Sequence, residues 1–598
     1  MICYKIIPHY PEAHIYRVTL DITSPDENGQ IFSMPTWIPG SYMVRDFAKN
    51  VVSISATSKD KPILITQIDK QTWKIAGSTG PVRVIYDLYA WDLSVRTAYL
   101  DQFRGYFNGP SVFLQVHGAE SEPCFLEVCL PEGERYEHWS VATSLRKDGA
   151  RQRCYCADGY FELIDHPVEI GLFESAKFQV ASIPHEIVIS GRHNADLPRL
   201  CSDLEQICDA QRKIFGQLPL DRYLFLVAAV GDGYGGLEHK YSTSLLCNRA
   251  DLPKAKQQKI SDGYRRFLGL CSHEYFHLWN VKRICPAAFV DVPLDSEVYT
   301  RLLWVFEGIT SYYDELILVR AGLITAESYL ELLAQTITRV ARVQGRFKQT
   351  LEESSFNAWT KFYKQDENAP NAIVSYYSKG ALVALSLDLK IRHESADKYS
   401  LDDVMRAFWN KYGVTKIGVP EDGFERLAVE VTGLNLHSFF QSYVRGTEDP
   451  PLHEQLARQG VNLELRQMKD QSDLGGFATS SCQHESLLTL GVKFLTGVDE
   501  AKIQQVFDGG AAQQAGISAG DELVAVDGIK CTAKNIDALV AVGSTEVSLN
   551  IHLFRRDELL LIQVQPKAAP ADTCNLSYTT DSTSEMISNR CRWLQIDE

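Results

Sequence analysis

The feature that most constrains the fold of this chain is a pair of histidines four residues apart, in the segment His273-Glu-Tyr-Phe-His277. Apolar side chains recur at three- and four-residue steps over residues 264–279, which predicts a helix there. On a helix the two imidazoles project from one face, about 5–6 Å apart at Cβ, and can reach one zinc ion. Glu274 points to the neighbouring side, where it can contact a water molecule. The alternative is a buried helix that carries two structural histidines.

A catalytic zinc site needs a third protein ligand. Asn280 and Arg283 stand where metzincins carry a further glycine and histidine, so that subclass is excluded. Glu307 follows the motif by thirty residues, inside the apolar helical stretch 302–313. A carboxylate is costly to bury in such a stretch unless a partner offsets its desolvation, and a metal is a strong partner. A base such as Arg301 is the alternative partner.

The apolar pattern changes along the chain, which indicates several domains for its 598 residues. Residues 1–178 contain short alternating stretches punctuated by Gly, Pro, Asp and Asn, which is typical of an antiparallel β domain. From about residue 195 to residue 445 the spacing is mainly helical. The segment Gly446-Thr-Glu-Asp-Pro-Pro451 breaks this helical pattern. Short strands and Gly-rich turns follow, and a polar tail begins near Ala568.

Composition excludes several classes of function. The net charge of −16 argues against binding to nucleic acid or to anionic lipid. No apolar run approaches the ~18–20 residues of a membrane helix, and the first residues lack the pattern of a signal peptide. The fourteen cysteines include no CxxC pair, so we expect reduced thiols. We therefore expect a cytoplasmic protein with neither a nucleic-acid nor a membrane partner.

The zinc motif, taken with Trp-Val-Phe-Glu307-Gly, resembles the gluzincin peptidases of the aminopeptidase N type. The resemblance is closer to one branch, the glycyl aminopeptidase family, and its further segments are 35–47, 92–101, 106–109 and 278–284. It implies a thermolysin-like α/β catalytic domain at residues 179–330 and a helical domain at residues 331–450 that completes the active site. It also implies one Zn²⁺ per chain, held by His273, His277 and Glu307, with Glu274 as the general base.

The same resemblance assigns substrate-binding residues. Gly235-Gly-Leu-Glu238 is similar to the GAMEN motif, which implies that Glu238 binds the free α-amine of the substrate. Gly235 and Gly236 would let the backbone approach the substrate closely. Asn108 would add a side-chain amide near the same amine. A Gly-rich turn with a solvated glutamate is the alternative for Glu238, and a hairpin turn is the favoured interpretation of Asn108.

Tyr377-Ser-Lys-Gly380 resembles the Tyr-x-Lys-Gly motif, whose tyrosine stabilises the oxyanion of the reaction. Tyr376 is adjacent, and only the spacing to Lys379 and Gly380 selects Tyr377. Packing in the core is the alternative role for this tyrosine. His239 lines the cleft at most.

Residues 488–567 resemble a PDZ domain, through the loop and strand Leu490-Gly-Val-Lys-Phe494 and through residues 508–528. PDZ domains bind extended peptides by strand addition and capture a terminal carboxylate, so a C-terminal peptide is a possible ligand. A packed structural domain whose groove is covered is the equal alternative. Residues 451–487 are predicted to be a linker with short strands, and residues 568–598 a C-terminal tail.

Together these features predict a multidomain α+β protein that acts as a zinc aminopeptidase. Its substrates would be peptides with free N-termini, and the family resemblance implies a preference for N-terminal Gly or Ala. Two alternatives remain open. One is a zinc endopeptidase assisted by the PDZ domain, and the other is a peptide-binding scaffold whose catalytic domain has decayed.

Overall fold

The computed structural model describes residues 1–149, 151–478 and 487–597. These residues divide into two compact units. The amino-terminal unit comprises Met1–Val298 and Phe408–Val419, and the carboxy-terminal unit comprises Tyr299–Ala407 and Pro420–Glu598. The predicted multidomain α+β organisation is confirmed in outline, with β sheets at the amino terminus and helices through the catalytic region.

The amino-terminal unit begins with the predicted β-rich region. Alternating burial along its strands, as in Ile2–Tyr10, places one face of each strand in the core. The expected antiparallel pairing holds for most pairs, but Ile2–Tyr10 pairs in parallel with Cys124–Val128. A long connection separates these two strands, and such a connection permits parallel pairing where a tight hairpin does not.

The sheets of this region are given in the order in which their strands are hydrogen-bonded. The first sheet contains Arg146–Lys147, Cys154–Ala157, Cys124–Val128, Ile2–Tyr10, Ile15–Ile22, Val82–Tyr89, Val51–Ser58 and Lys61–Ile63. The second contains Ser140–Thr143, Val168–Gly171, Arg104–Phe107 and Ala98–Leu100. The third contains Gln115–Val116, Ile31–Ser33, Thr72–Ile75 and Ile65–Gln67.

A further sheet of the amino-terminal unit carries part of the candidate site. Its strands run in the order Phe173–Val180, Ile183–Ser190, Tyr223–Val230, Ser242–Asn248 and Gly235–Glu238. Tyr223–Val230 has parallel neighbours on both sides and is buried along almost its whole length, which explains its continuous apolar sequence. Phe173–Val180 belongs to this sheet and crosses the domain boundary predicted at residue 178.

Two long helices pack in the same unit. Leu197–Phe215 begins after Asp196, whose side chain accepts from the Arg199 amide, and ends at Gly216 in a left-handed conformation. Asp262–Phe276, here called the motif helix, begins after Ser261 and contains His273 and Glu274. The shorter helical segments are Pro11–Ala13, Phe47–Asn50, Gly109–Ser111, Glu134–Tyr136, Tyr160–Ile164, Arg249–Asp251, Ala287–Phe289 and Trp409–Gly413.

The carboxy-terminal unit starts as a helical assembly, as the periodicity predicts. Its helical segments up to residue 457 are Trp304–Gly308, Ile309–Arg320, Ala326–Ala341, Gln344–Phe347, Leu351–Phe356, Ala358–Phe362, Ala369–Ala372, Ser378–Glu394, Leu401–Phe408, Gly423–Thr432, His437–Tyr443 and Leu452–Ala457.

The segment that resembles a PDZ domain, called the C-terminal module below (residues 487–568), has a hydrophobic core of its own. Its sheet runs in the order Val492–Phe494, Ala501–Val506, Glu522–Val526, Leu549–Arg555 and Glu558–Val564. The remaining segments are Leu488–Thr489, Ala511–Ala515, Ile529–Lys530, Ile536–Ala541 and Lys567–Ala568. The assignment of this module as a PDZ domain stays a prediction. Residues 479–486 of the predicted linker lie outside the described residues.

The prediction of a polar C-terminal tail at residues 568–598 is wrong. Ala571–Tyr578 forms a strand between Val461–Gln467 and Gly476–Phe477, and Ser584–Leu594 forms a helix. Trp593 is completely buried, and its indole N–H donates to the Tyr312 hydroxyl at 3.0 Å. The sequence pattern hides this element because only two of its side chains, Trp593 and Leu594, are fully buried.

The sequence predicts that the chain has no membrane helix and that its cysteines are reduced. No helix within the described part of the chain is long and apolar enough to cross a membrane. The cysteines within it carry free thiols, as expected from their spacing; Cys482 lies outside it.

We expect Trp593→Ala to lower the free energy of unfolding of the carboxy-terminal unit by ~3–5 kcal/mol, because it leaves a large cavity in a packed core. Urea denaturation followed by circular dichroism measures the change. Glu585→Ala, on the exposed side of the same helix, is the matched control and should leave the transition within about 0.5 kcal/mol. Equal effects of the two substitutions would contradict a buried C-terminal helix.

Candidate active site

The motif helix and the strand Gly235–Glu238 lie against each other at one tight contact. A Cβ atom built on Gly236 would lie 2.1 Å from the Glu274 Oε1 atom. A side chain at this position would require the Glu274 side chain to move, so the absence of a Cβ at Gly236 lets the strand follow the surface of the Glu274 carboxylate. This contact fixes the general base predicted from the sequence beside the strand that carries Glu238.

The two histidines of the motif converge as the helical spacing predicts. Their Nε2 atoms lie 3.1 Å apart. The Nδ1 atom of His277 lies 2.8 Å from the backbone oxygen of Asn280. A carbonyl oxygen only accepts hydrogen bonds, so Nδ1 of His277 carries a proton, and Nε2 is the nitrogen through which the neutral ring could bind a metal. Such a bond on the outer nitrogen is typical of histidines that bind metals.

The chain leaves the helix earlier than its periodicity predicts. The helix ends at Phe276, and the segment that follows turns sharply instead of continuing to residue 279. Val281 has a φ angle of 107°, which is rare for a β-branched residue and costs on the order of 1–3 kcal/mol. The turn brings the Asn280 oxygen under His277, and it directs Lys282 to the Asp165 carboxylate.

Glu238 is buried beside this helix, with only 4% of its surface exposed. Carboxylate and ring atoms of Glu238, Glu274 and His277 lie within 4.8 Å of one another. Within the described part of the chain, Glu238 Oε1 is buried without a hydrogen-bond partner. This position contradicts the alternative of a solvated Gly-rich turn, and it leaves a buried acceptor that a cationic group could satisfy.

A loop of the β-rich region covers the Glu238 carboxylate. Gly40, with a φ angle of 93°, packs so closely that a Cβ there would lie 2.4 Å from Glu238 Oε1. The same loop is anchored by Thr36, whose amide donates to the Leu294 oxygen at 2.7 Å, and by the Trp37 indole, which donates to the Ser296 oxygen at 2.9 Å. Gly40 was not identified from the sequence, although it lies inside the segment 35–47.

Asn108 is fully buried, so the interpretation as a hairpin turn is wrong. It has extended backbone angles and precedes the short helix Gly109–Ser111. Its Nδ2 donates to the Val95 oxygen at 2.9 Å and lies 3.5 Å from His239 Nε2. Burial favours this arrangement over a turn because the Gly109 backbone packs against Ile164, where a Cβ would lie 2.4 Å from the Ile164 Cα atom.

Asp165 and Lys282 form a charged cluster around His239, the residue after Glu238. The sequence alone did not indicate this cluster. His239 Nδ1 lies 3.2 Å from Asp165 Oδ1, and Lys282 Nζ donates to the same oxygen at 2.7 Å. Burial acts to raise the pKa of Asp165, but the charge of Lys282 and then the contact with His239 hold it well below its usual range. Asp165 is therefore ionised and anchors both the strand end and the turn after the motif helix.

Two further residues of the β-rich region hold the strand Gly235–Glu238 in place. Arg96 Nη2 donates to the Gly236 oxygen at 3.0 Å, and the Tyr106 hydroxyl, which donates to the Val95 oxygen, accepts from Ser244 Oγ at 2.8 Å on the neighbouring strand. Both belong to segments, 92–101 and 106–109, on which the family resemblance rests. These contacts give a physical reason for the presence of those segments.

A cavity of about 750 Å³ opens beside Glu238 within the amino-terminal unit. Aromatic and charged side chains line it, among them Trp37, Tyr42, Glu238, His239, Lys282 and Trp409. Such a volume is in the usual range of ligand pockets.

Glu307 lies in the carboxy-terminal unit, on a π-helical turn, Trp304–Gly308, that leads into the helix Ile309–Arg320. The residue is 2% exposed. π-Helical turns inside helices occur frequently at functional sites. Arg301, the alternative partner, places its guanidinium 5.0 Å from the centre of the Phe356 ring.

Tyr377 precedes the helix Ser378–Glu394 in the same unit. Gly308 and Gly380 face each other so closely that a Cβ on Gly308 would lie 2.7 Å from the Gly380 Cα, which explains why a glycine follows Glu307 and Tyr377 in these segments. Burial and then the charge of Glu307 hold the pKa of Tyr377 well above its usual range. The phenol therefore remains protonated and able to donate.

The structure distinguishes the neighbouring residues of this motif. Tyr376 is completely buried, whereas Tyr377 is half-buried, with its hydroxyl 3.4 Å from that of Tyr363. Lys379 is fully buried, and its Nζ donates to the backbone oxygens of Arg346 and Thr447 at 3.3 and 3.2 Å. The lysine therefore has a structural role in fastening the segment that follows residue 445.

Two protein-family models match parts of this chain. Residues 3–172 match the Peptidase M61 N-terminal domain, and residues 266–383 match the M61 glycyl aminopeptidase domain. The crystal structure of an aminopeptidase N family protein from Idiomarina loihiensis is 38% identical over 99% of this chain and 100% of that chain, with a TM-score of 0.94. The comparison with curated proteins gives no significant match.

More distant structures include an M1 zinc metallopeptidase from Deinococcus radiodurans, which is 14% identical over 75% of this chain and 94% of that chain, with a TM-score of 0.46. A mutant of that enzyme bound to a Tyr-Ser-Ala substrate is 15% identical over the same shares, with a TM-score of 0.46.

The matched domains and the buried HExxH helix define the class of this protein, which is a peptidase. The chain belongs to the aminopeptidase N family represented by the Idiomarina protein, and it carries the M61 peptidase domains.

We expect Gly236→Ala to reduce kcat for peptide hydrolysis at least about tenfold, because the new methyl group would displace the Glu274 carboxylate and a shift of about 1 Å can cost 100-fold. Steady-state kinetics with a chromogenic peptide substrate measures the loss. Gly231→Ala is the matched control, since a Cβ at Gly231 meets only open space. Unchanged kcat in Gly236→Ala would show that Glu274 does not need this contact.

Proposed function

We propose that this peptidase is a zinc-dependent aminopeptidase that hydrolyses the first peptide bond of peptides with a free N-terminus. The observation that carries the proposal is the buried Glu238 carboxylate beside Glu274 and His277. Burying a carboxylate is costly unless a partner offsets its desolvation, and the N-terminal ammonium of a peptide is a strong partner that only the first residue carries. Binding there selects the first peptide bond.

The residues of the chain fit a zinc ion. His273 and His277 would hold it through their Nε2 atoms, and Glu307 would supply the third ligand. Two imidazoles and one carboxylate are the usual protein ligands of catalytic zinc in peptidases. Zinc, when bound, supplies Lewis-acid chemistry that polarises a carbonyl group and makes water more acidic.

The side chains of the protein would perform the proton transfers. Glu274 takes a proton from the attacking water and passes it to the leaving amine. Tyr377 donates a hydrogen bond to the developing oxyanion, for which a protonated phenol is required. Glu238 holds the ammonium, and the Gly235–Glu238 backbone lies along the substrate. The match to the M61 glycyl aminopeptidase domain supports the proposal that the enzyme prefers a small N-terminal residue, Gly or Ala.

We assign the C-terminal module as a PDZ domain on the order of its elements. Its strand Val492–Phe494 pairs with Ala501–Val506 on one side, and no other strand of the described residues occupies its second edge. The loop before this strand, Leu490 and Gly491, packs against Gly510 and Ala512. An open edge next to such a loop is where PDZ domains add a peptide strand.

The proposed requirement for a free N-terminal amine can be tested directly. We expect Gly- and Ala-arylamides to be cleaved with kcat/KM at least about 100-fold higher than their N-acetylated forms, because loss of one partner of a buried charge pair costs roughly 2–5 kcal/mol. Leu- and Phe-arylamides, compared in the same assay, test the preference for small residues. Equal cleavage of blocked and free substrates would instead favour an endopeptidase.

Glu238→Ala should remove this selectivity, lowering kcat/KM for the free substrates to that of the blocked ones while leaving bound zinc at one per chain. Glu205→Ala, an exposed glutamate of the helix Leu197–Phe215, is the control and should leave both rates unchanged. Loss of zinc in Glu238→Ala would indicate that Glu238 is a metal ligand and not an amine-binding residue.

Metal content tests the proposed ligands. We expect one zinc per purified chain by inductively coupled plasma mass spectrometry, with most of it lost in His273→Ala and in Glu307→Ala. Tyr377→Phe and Glu274→Gln should retain the metal while losing activity, since neither residue is assigned as a ligand. Full retention of zinc in Glu307→Ala would contradict the assignment of the third ligand.

A further inference from the structure

A buried asparagine connects the C-terminal module to the segment that precedes Tyr377. Asn371, 5% exposed, belongs to the short helix Ala369–Ala372. Its Nδ2 donates to the Val506 oxygen at 2.8 Å, and its Oδ1 accepts from the Asp508 amide at 2.8 Å. Both ends of the side-chain amide are thus bonded to residues 506–509, the module turn, which follows the strand Ala501–Val506. A buried amide satisfied at both ends is a fixed contact.

Asp508 of the module turn also contacts a second segment of the carboxy-terminal unit. The Asp508 carboxylate accepts from Lys348 Nζ, next to the short helix Gln344–Phe347. Lys348 is about half exposed, so this ion pair alone contributes little to stability. Its importance is geometric, because one residue of the module contacts both segments at once.

The two contacted segments pack directly on each other. A Cβ on Gly345 would lie 2.1 Å from the Ile373 backbone oxygen, so their backbones touch. The Gln349 side chain, 3% exposed, accepts from the Val374 amide at 2.9 Å. Residues 344–349 and 371–374 therefore form one frame, closed on one side by the module turn.

Tyr377 extends from this frame. Only two residues, Ser375 and Tyr376, separate Val374 from Tyr377, and the helix Ser378–Glu394 begins immediately after Tyr377. The Tyr377 ring packs against Phe362, with ring centres 5.5 Å apart, and its hydroxyl lies 3.4 Å from that of Tyr363. A shift of the frame would be passed on to that hydroxyl.

We propose that Asn371 is a positioning residue for Tyr377, and that the C-terminal module is part of the catalytic apparatus because its turn holds Asn371. This inference rests on the proposed role of Tyr377 as a hydrogen-bond donor to the oxyanion. It is independent of whether the module also captures a peptide. The role is positional because Asn371 acts through the backbone of residues 372–376.

A double-mutant cycle tests the inference, with kcat and KM for an Ala-arylamide measured in Asn371→Ala, Tyr377→Phe and the double variant of the full chain. We expect Asn371→Ala to lower kcat about tenfold with KM unchanged, because misplacement by a fraction of an ångström affects the transition state more than substrate binding. In the Tyr377→Phe background the same substitution should cause no further loss.

Two variants accompany the cycle. Asn535→Ala removes comparable local hydrogen bonds inside the module, to the Thr532 amide and the Lys530 oxygen, and should leave kcat unchanged. Lys348→Ala removes the exposed contact and should lower kcat two- to fivefold, an effect again absent in the Tyr377→Phe background. If circular dichroism shows that Asn371→Ala does not fold, the kcat of Lys348→Ala tests whether the module turn positions Tyr377.

The outcomes are distinguishable. Losses in Asn371→Ala that multiply with those of Tyr377→Phe would overturn the inference and leave the proposed function intact. An effect on KM alone, or equal effects of Asn371→Ala and Asn535→Ala, would also overturn it. Unchanged kcat in Tyr377→Phe itself would contradict the assigned role of Tyr377 in the proposed function, and the inference would fail with it.

Discussion

The contact between Gly236 and the Glu274 carboxylate is the constraint on which the amino-terminal unit depends. Because Gly236 has no Cβ, the strand Gly235–Glu238 can lie directly on the motif helix. Glu238 is then buried within 4.8 Å of Glu274 and His277 atoms. The β-rich region supports this strand through Arg96 and covers the carboxylate through Gly40. The large amino-terminal region is therefore explained as part of the scaffold of the site.

A similar principle operates in the carboxy-terminal unit, where a second pair of glycines, Gly308 and Gly380, lets two helical segments approach at backbone distance. Glu307 precedes one of these glycines, and Tyr377 lies three residues before the other. Lys379 and Asn371 then fasten the surrounding segments through backbone hydrogen bonds. In both units glycines allow neighbouring segments to pack closely, and buried polar side chains fix the positions of these segments.

Sequence reasoning identified what local pattern encodes. The helix with His273 and His277 follows from a four-residue spacing, and the β-rich and helical regions follow from their periodicity. The end of that helix at Phe276 was not predicted, because Lys282 in the turn that follows is held by Asp165, which is distant in the sequence. Asn108 was assigned to a hairpin because Asn-Gly is a turn signal, whereas the fold buries it. Asp165, Gly40 and Trp593 were missed because only tertiary contacts give them a role.

Glu238 is proposed to bind the free N-terminus of the substrate, so that hydrolysis proceeds one residue at a time. The most direct measurement is a mass-spectrometric time course of hexa-alanine digestion by the zinc-loaded enzyme. The account predicts successive penta- and tetrapeptides, with free alanine as the only other early product, and an intact acetylated hexapeptide under the same conditions. Early release of di- or tripeptides from the interior of either substrate would contradict it.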